Sequence, residues 1–187
     1  ETASAQPQSP PMIVANPTYG PAPSDASGGV AFTPLPGTAR EAEGVLPYVR
    51  RLDGAEPNVY VGAKALESVV KAAQRPKLAL FSTHGFSSVS PGQHPMATCG
   101  LAFAGANAAI RGDGDGVLTG LEILASDYRG TDLVVLSACQ TALGSISSGE
   151  GVASLRYAFQ LAGAKNVAAT LWSIPDEITA EMMKDFF

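Results

Sequence analysis

The sequence predicts an α/β domain built on a mainly parallel sheet, and three observations carry that prediction. Short apolar runs alternate with stretches of helical periodicity from Met12 onward. Three of the runs, Leu78–Ser82, Leu133–Ser137 and Val167–Leu171, are almost continuously apolar, as strands covered on both faces must be. The chain has 187 residues, 45% of them hydrophobic, which is enough to bury one substantial core.

Residues 1–11 read as a flexible linker and residues 12–187 as the domain. Nine of the 14 prolines fall at or before Pro47, so the first third is loop-rich. Met12–Ala15 is the first expected strand and Val59–Val61 the second. Between them Ala39, Ala42, Val45, Leu46 and Val49 have helical spacing, although Pro47 is expected to kink or shorten that helix. Leu66, Val69, Val70 and Ala73 form the next stripe, stopped by Pro76. Ser87–Ala109 reads as a long loop. Thr119-Gly-Leu-Glu122 fits a capping box opening a short helix. Val152, Leu155, Phe159 and Ala162 line one face of a helix that Gly163 ends. The last helix begins near Asp176 and runs through Ile178, Met182 and Phe186. With no capping signal and no strand after it, the fold is expected to be cut at Phe187.

Composition narrows the function. A net charge of −5 supplies no electrostatic footprint for nucleic acid or an anionic membrane. No run approaches 18 apolar residues, and no signal peptide is visible. Two cysteines, Cys99 and Cys139, in unlike contexts do not make a disulfide framework, so a reduced, cytoplasmic protein is expected. Gly144 and Gly149 have phosphate-loop spacing, but Glu150-Gly151 follows where Lys-Ser/Thr is needed. Asp113 and Asp115 begin a calcium-loop pattern whose remaining ligands are missing. His94 and Cys99 are two zinc-type ligands without partners. No metal and no cofactor is expected.

The chemistry is expected at the carboxyl ends of the strands, where open α/β sheets place their sites. One apolar run leads into Ser82-Thr-His84-Gly85 and another into Ser137-Ala-Cys139. If their strands are parallel neighbours, about 5 Å apart, His84 and Cys139 leave the same edge. A thiol with a pKa near ~8.5 is mostly protonated at neutral pH, and an imidazole titrating near ~6.5 can assist its ionisation. The same histidine then protonates a departing amine. Gly85, without a Cβ, lets a carbonyl approach its N–H, and that N–H with the one of Cys139 makes an oxyanion hole. The 55-residue interval with histidine first agrees with the roughly 50 residues noted for caspases.

The same residues carry a family likeness. Phe32-Thr-Pro-Leu-Pro-Gly-Thr-Ala-Arg-Glu41, Ser82-Thr-His-Gly85, Asp115-Gly-Val-Leu-Thr119, Leu136-Ser-Ala-Cys-Gln-Thr141 and Gly149-Glu-Gly151 stand in the order seen in CHAT domains. Ala158-Phe159, Ala162-Gly-Ala164 and Leu171-Trp172 continue the likeness. The chain therefore resembles caspases and separase, which implies a central sheet flanked by helices, with His84 and Cys139 as the dyad. It also implies a protein or peptide substrate, cut by a cysteine endopeptidase without a cofactor. A TPR region or a regulatory protein is the implied controlling partner, acting on the loops Ser87–Ala109 and Ser145–Gly149. Asp176 holds the position of an acidic pocket residue in the separase pattern, with Glu150 and Glu177 at its rim and Trp172 shaping the cleft. The bland reading of Asp176 is a helix cap. The competing function is a catalytically silent caspase-like interaction module.

Overall fold

The computed structural model describes residues 5–22, 31–88, 92–108, 114–138, 150–170 and 176–187; the side chains of Asp53, Glu150, Val152, Asp176, Glu177 and Ala180 lie outside that description. Among these residues five parallel strands form the central sheet: β1 (Met12–Pro17), β2 (Asn58–Gly62), β3 (Leu78–Ser82), β7 (Leu133–Leu136) and β8 (Val167–Ala169). Their spatial order is β2-β1-β3-β7-β8, and every pairing is parallel. The parallel α/β expectation therefore holds, with helices on both faces.

Strand alternation sorts the core into two layers. Ile13, Ala15, Leu80 and Val135 pack with Ala42, Val45 and Val49 of α1 (Pro36–Asp53) and Met183 of α5 (Asp176–Phe186). Met12, Val14, Phe81, Val134 and Leu136 face the other way, toward α2 (Glu67–Ala72), α3 (Gly120–Ala125) and α4 (Glu150–Leu161). There the Phe81 ring stacks on Phe159 at 5.6 Å between centroids. Tyr128 meets Phe159 edge-on at 5.0 Å. Removing the Phe159 ring would cost about 3–5 kcal/mol through the cavity left behind.

α1 runs for 18 residues straight through Pro47, which neither shortens nor ends it. Pro47 and Glu43 are both exposed, so the carbonyl that Pro47 leaves without a donor turns to water. Pro36 presets the first turn, and Gly54, at φ 69°, closes the helix by donating its N–H to the Arg50 carbonyl. The expected capping box is present: Thr119 accepts from the Glu122 N–H while the Glu122 carboxylate accepts from the Thr119 N–H. Lys71 Nζ ties this end of α3 to α2, 2.8 Å from Glu122 and 2.6 Å from the buried Glu67.

The expected long loop after Ser87 contains a strand and a 3-10 turn. β4 (Gly85–Ser87), β5 (Cys99–Ala102) and β6 (Val117–Thr119) form a second, antiparallel sheet in the order β4-β5-β6, with a 3-10 turn at Pro95–Ala97. These strands have three or four residues each and no clean alternation, which left them invisible to periodicity. Gly100 is required in the middle strand. A Cβ there would lie 2.7 Å from the Leu118 carbonyl oxygen and from the Phe86 ring. Ahead of β1, Gln8 donates to the Arg75 carbonyl and Lys77 to that of Ser9, so part of the stretch read as linker carries backbone hydrogen bonds. No helix among the described residues is long and apolar enough to cross a membrane.

Candidate active site at the carboxyl edge of the sheet

β3 and β7 are parallel neighbours, as the site argument requires. Along the ladder each β3 residue from Leu78 to Phe81 pairs with the one 55 further on, Leu78 with Leu133 and Phe81 with Leu136. His84 and Cys139 are separated by the same interval in the sequence. Cys139 and Trp172 lie outside the described residues, as does the Ser145–Gly149 loop. Glu150 and Asp176 open α4 and α5, and Glu177 follows Asp176.

The chain leaves β3 through Thr83 and His84 and turns directly into β4. His84 is only 1% exposed. Its ring packs in a three-ring cluster with Tyr19 and Phe32, whose centroids are 5.2 and 5.7 Å away. The ring nitrogen Nε2 is 2.7 Å from the main-chain carbonyl oxygen of Thr33. A carbonyl only accepts, so Nε2 carries the hydrogen, and in the neutral ring Nδ1 holds the lone pair. The tautomer needed for a base acting through Nδ1 is thereby set by a backbone group.

The main chain of His84 is fastened as firmly as its ring. Its N–H points at the Tyr19 hydroxyl, 3.4 Å away, and its carbonyl accepts from Ala102 at 2.9 Å. Thr83 Oγ1 donates its one hydrogen to the Ala102 carbonyl, so in the 2.8 Å contact with Tyr19 the tyrosine is the donor. Asn107 in turn holds both walls of the histidine. Its Oδ1 accepts from the Phe32 N–H at 2.9 Å, while Nδ2 donates to the Phe32 carbonyl at 2.9 Å and the Gly20 carbonyl at 3.0 Å.

Gly85 stands beside the end of β7: a Cβ built on it would lie 3.5 Å from Ala138 Cβ. In the β4–β5 ladder Gly85 faces Leu101, and the hydrogen-bonded pair on its His84 side is made by Ala102 N–H and the His84 carbonyl. Antiparallel ladders alternate, so the Gly85 N–H is directed away from β5. That orientation suits an oxyanion donor.

Under these groups lies Glu41, buried on the inner face of α1. Its Oε1 accepts from Ser82 Oγ at 2.8 Å and its Oε2 from Ser137 Oγ at 3.0 Å. Thr38, one turn earlier, accepts from the Asn16 N–H at 2.9 Å and so pins the same helix to the end of β1. Residues 32–41 thus form a strap across the edge, touching the histidine at Phe32 and Thr33 and three strand ends through Thr38 and Glu41.

Sequence reasoning found His84 and Gly85 but missed Tyr19, Thr33, Glu41 and Asn107. Glu41 did leave a signal: an acidic residue beside Ala42 in the stripe that continues to Val45 and Val49. Thr33 acts through its carbonyl and leaves none beyond its place in the Phe32–Glu41 motif.

The two zinc-type residues have other employment. His94 Nδ1 accepts from the Met96 N–H at 3.3 Å, opening the 3-10 turn. Cys99 is fully buried, and that burial pushes its thiol up to about 11, against a smaller opposing pull from the Gly120 N–H. A thiol raised in this way is disfavoured as a nucleophile at neutral pH. Among the described residues no group of three or more His, Cys, Asp or Glu could hold a metal ion.

Comparison with protein families gives a match to the CHAT domain over residues 1–187, the whole chain. Comparison with curated proteins gives no match.

Proposed function

The chain belongs to the CHAT domain family, which is related to caspase-like peptidases, and from that premise we propose that it is a cysteine endopeptidase acting through Cys139 and His84. The observation that carries the reading is the β3–β7 register, whose 55-residue offset equals the His84–Cys139 interval. The Thr33 carbonyl supports it by fixing the histidine tautomer.

In this reading the Cys139 thiol passes its proton to His84 Nδ1, and the thiolate attacks the carbonyl carbon of the scissile peptide bond. The oxyanion accepts hydrogen bonds from the Gly85 and Cys139 N–H groups; one such donor is worth about 2.7–4 kcal/mol to the transition state. The carbon–nitrogen bond breaks as Nδ1–H protonates the leaving amine. A water molecule, deprotonated by the same nitrogen, hydrolyses the thioester and restores the thiol. Throughout, the Thr33 carbonyl faces Nε2–H and favours the imidazolium whenever it forms. The protein substrate approaches a pocket to which Asp176, Glu150, Glu177 and Trp172 contribute.

The burial of His84 favours control by a partner, which in a CHAT protein is a TPR region or a regulatory protein. At 1% exposure the ring meets a leaving amine only after a group covering it has moved. The same burial is the one observation favouring a silent interaction module. Peptide-library digestion and labelling with a thiol-reactive peptide probe separate the two, with Cys139→Ala and His84→Ala as controls. Loss of cleavage in both variants, with circular dichroism unchanged, is the expected result. Retained turnover in Cys139→Ala, or no labelling under any condition, refutes the peptidase reading.

A further inference from the structure

We propose that Glu41 is a positioning residue that sets the His84-bearing and Cys139-bearing strand ends against each other. The proposal rests on the peptidase reading above. Glu41 is 1% exposed, and its two carboxylate oxygens hold one serine each, Ser82 at 2.8 Å and Ser137 at 3.0 Å. Ser82 stands two residues before His84, and Ser137 two before Cys139.

Seating α1 on the sheet does not require this carboxylate. Ala42, Val45 and Val49 already bury against Ile13, Leu80 and Val135. A buried acidic group is costly unless its oxygens are well partnered, and an apolar side chain of similar size would serve adhesion better. What Glu41 adds is a bridge of fixed length at one place. The β3–β7 ladder has its last pair at Phe81 and Leu136. Beyond it the first chain turns into β4, and among the described residues no ladder between the two sets their separation. Ser82 and Ser137 are the next residues along, still on the α1 face, and one side chain spans both. A bridge there fixes the distance between two chains just before their reactive residues. Glu41 itself touches no reacting atom in this account.

The test uses the full chain as wild type, Glu41→Ala, Glu41→Gln and Ser137→Ala, each with His84 present and with His84→Ala. Peptide turnover gives kcat and KM. Carbamidomethylation of Cys139 by iodoacetamide, followed by mass spectrometry, reports thiol activation without any substrate. Circular dichroism fixes a temperature at which every variant is folded. Glu41→Ala is expected to lower kcat and the alkylation rate roughly 10- to 100-fold, the range for a small misplacement of reacting groups. KM should stay within about twofold, since substrate contacts are unchanged. Glu41→Gln should restore most of the loss, because its amide accepts from one serine and donates to the other. Ser137→Ala, which removes one hydroxyl and is the fallback if Glu41→Ala does not fold, should show a smaller loss. In the His84→Ala background Glu41→Ala should change alkylation no further, since the effect acts through the pair.

Equal effects in both backgrounds would overturn the proposal. So would Gln behaving as badly as Ala, or wild-type rates in Ser137→Ala. A wild type whose Cys139 alkylation depends on His84 but which cleaves no peptide would refute the peptidase reading alone, leaving Glu41 to be judged on alkylation. Alkylation indifferent to His84 would overturn both.

Discussion

Replacing Asn107 by alanine should destabilise the protein by about 2–3 kcal/mol and lower turnover by more than the folded fraction explains. The amide makes three hydrogen bonds, two to the main chain of Phe32 and one to the Gly20 carbonyl. Gly20 is exposed, so its carbonyl can turn to water. Phe32 is 5% exposed, and both its N–H and its carbonyl lose their partner in a buried place. Each such loss costs about 1–1.5 kcal/mol, which gives the total. That is a large share of the roughly 5–15 kcal/mol by which a domain is stable. Turnover suffers further because Phe32 walls the His84 ring and Thr33, its neighbour, fixes the tautomer. Urea unfolding followed by circular dichroism measures the first effect, and peptide cleavage well below the transition measures the second. Asn107→Asp sharpens the test. It keeps the shape and Oδ1 but sets an oxygen against two carbonyls, so it should cost at least as much as alanine. Wild-type stability in Asn107→Asp, or a loss under about 0.5 kcal/mol in Asn107→Ala, would refute the reasoning.

Three further outcomes follow from the same geometry. Cys99→Ser should leave cleavage intact. In the folded wild type Cys99 should resist alkylation until the pH nears 11, where burial has moved its thiol. Because the folded thiol keeps its proton longer than the unfolded one, that contribution to stability is complete below pH 9.0 and is lost as pH rises toward about 11, so urea titrations across this window should show a steeper decline in wild type than in Cys99→Ser. Gly85→Ala should fold normally, since the added Cβ would sit 3.5 Å from Ala138, an ordinary contact. Its kcat should nevertheless fall about tenfold if a substrate carbonyl must reach the Gly85 N–H; unchanged kcat would remove Gly85 from the oxyanion hole. Reversing the charge at Asp176 should weaken cleavage after Lys or Arg far more than after apolar residues. An equal effect on both would assign it to capping α5.

The central sheet was legible because its strands are short, apolar and parallel, a pattern that depends on burial at both faces and hardly at all on partners. Leu78–Ser82 is a strand over the range expected, and Leu133–Leu136 differs only at its end. Helices were legible where one face is apolar, and Pro47 misled because a proline on the solvent side takes away a hydrogen bond that water replaces. The small sheet was not legible. Gly85–Ser87, Cys99–Ala102 and Val117–Thr119 owe their conformation to one another, and no local pattern encodes a pairing between segments that far apart. At the site, residues that act by chemical type were readable and residues that act by location were not. A histidine after a strand announces itself, whereas the Thr33 carbonyl belongs to the backbone and could come from any residue. Glu41 and Asn107 are ordinary polar residues until the fold surrounds them.

The strap at residues 32–41 has a consequence for how the molecule matures. It lies early in the chain, while the β3 and β7 ends that Glu41 bridges come 41 and 96 residues later, so that bridge closes only when both strands are in place. Until then nothing joins the two strand ends, and until Thr33 meets His84 the histidine has no fixed tautomer. A nascent or partly unfolded molecule would be inert on the proposed reading, even with every reactive residue already synthesised. Competence to cut would arrive together with completion of the tertiary structure, so that the fold itself guards a newborn chain against its own chemistry.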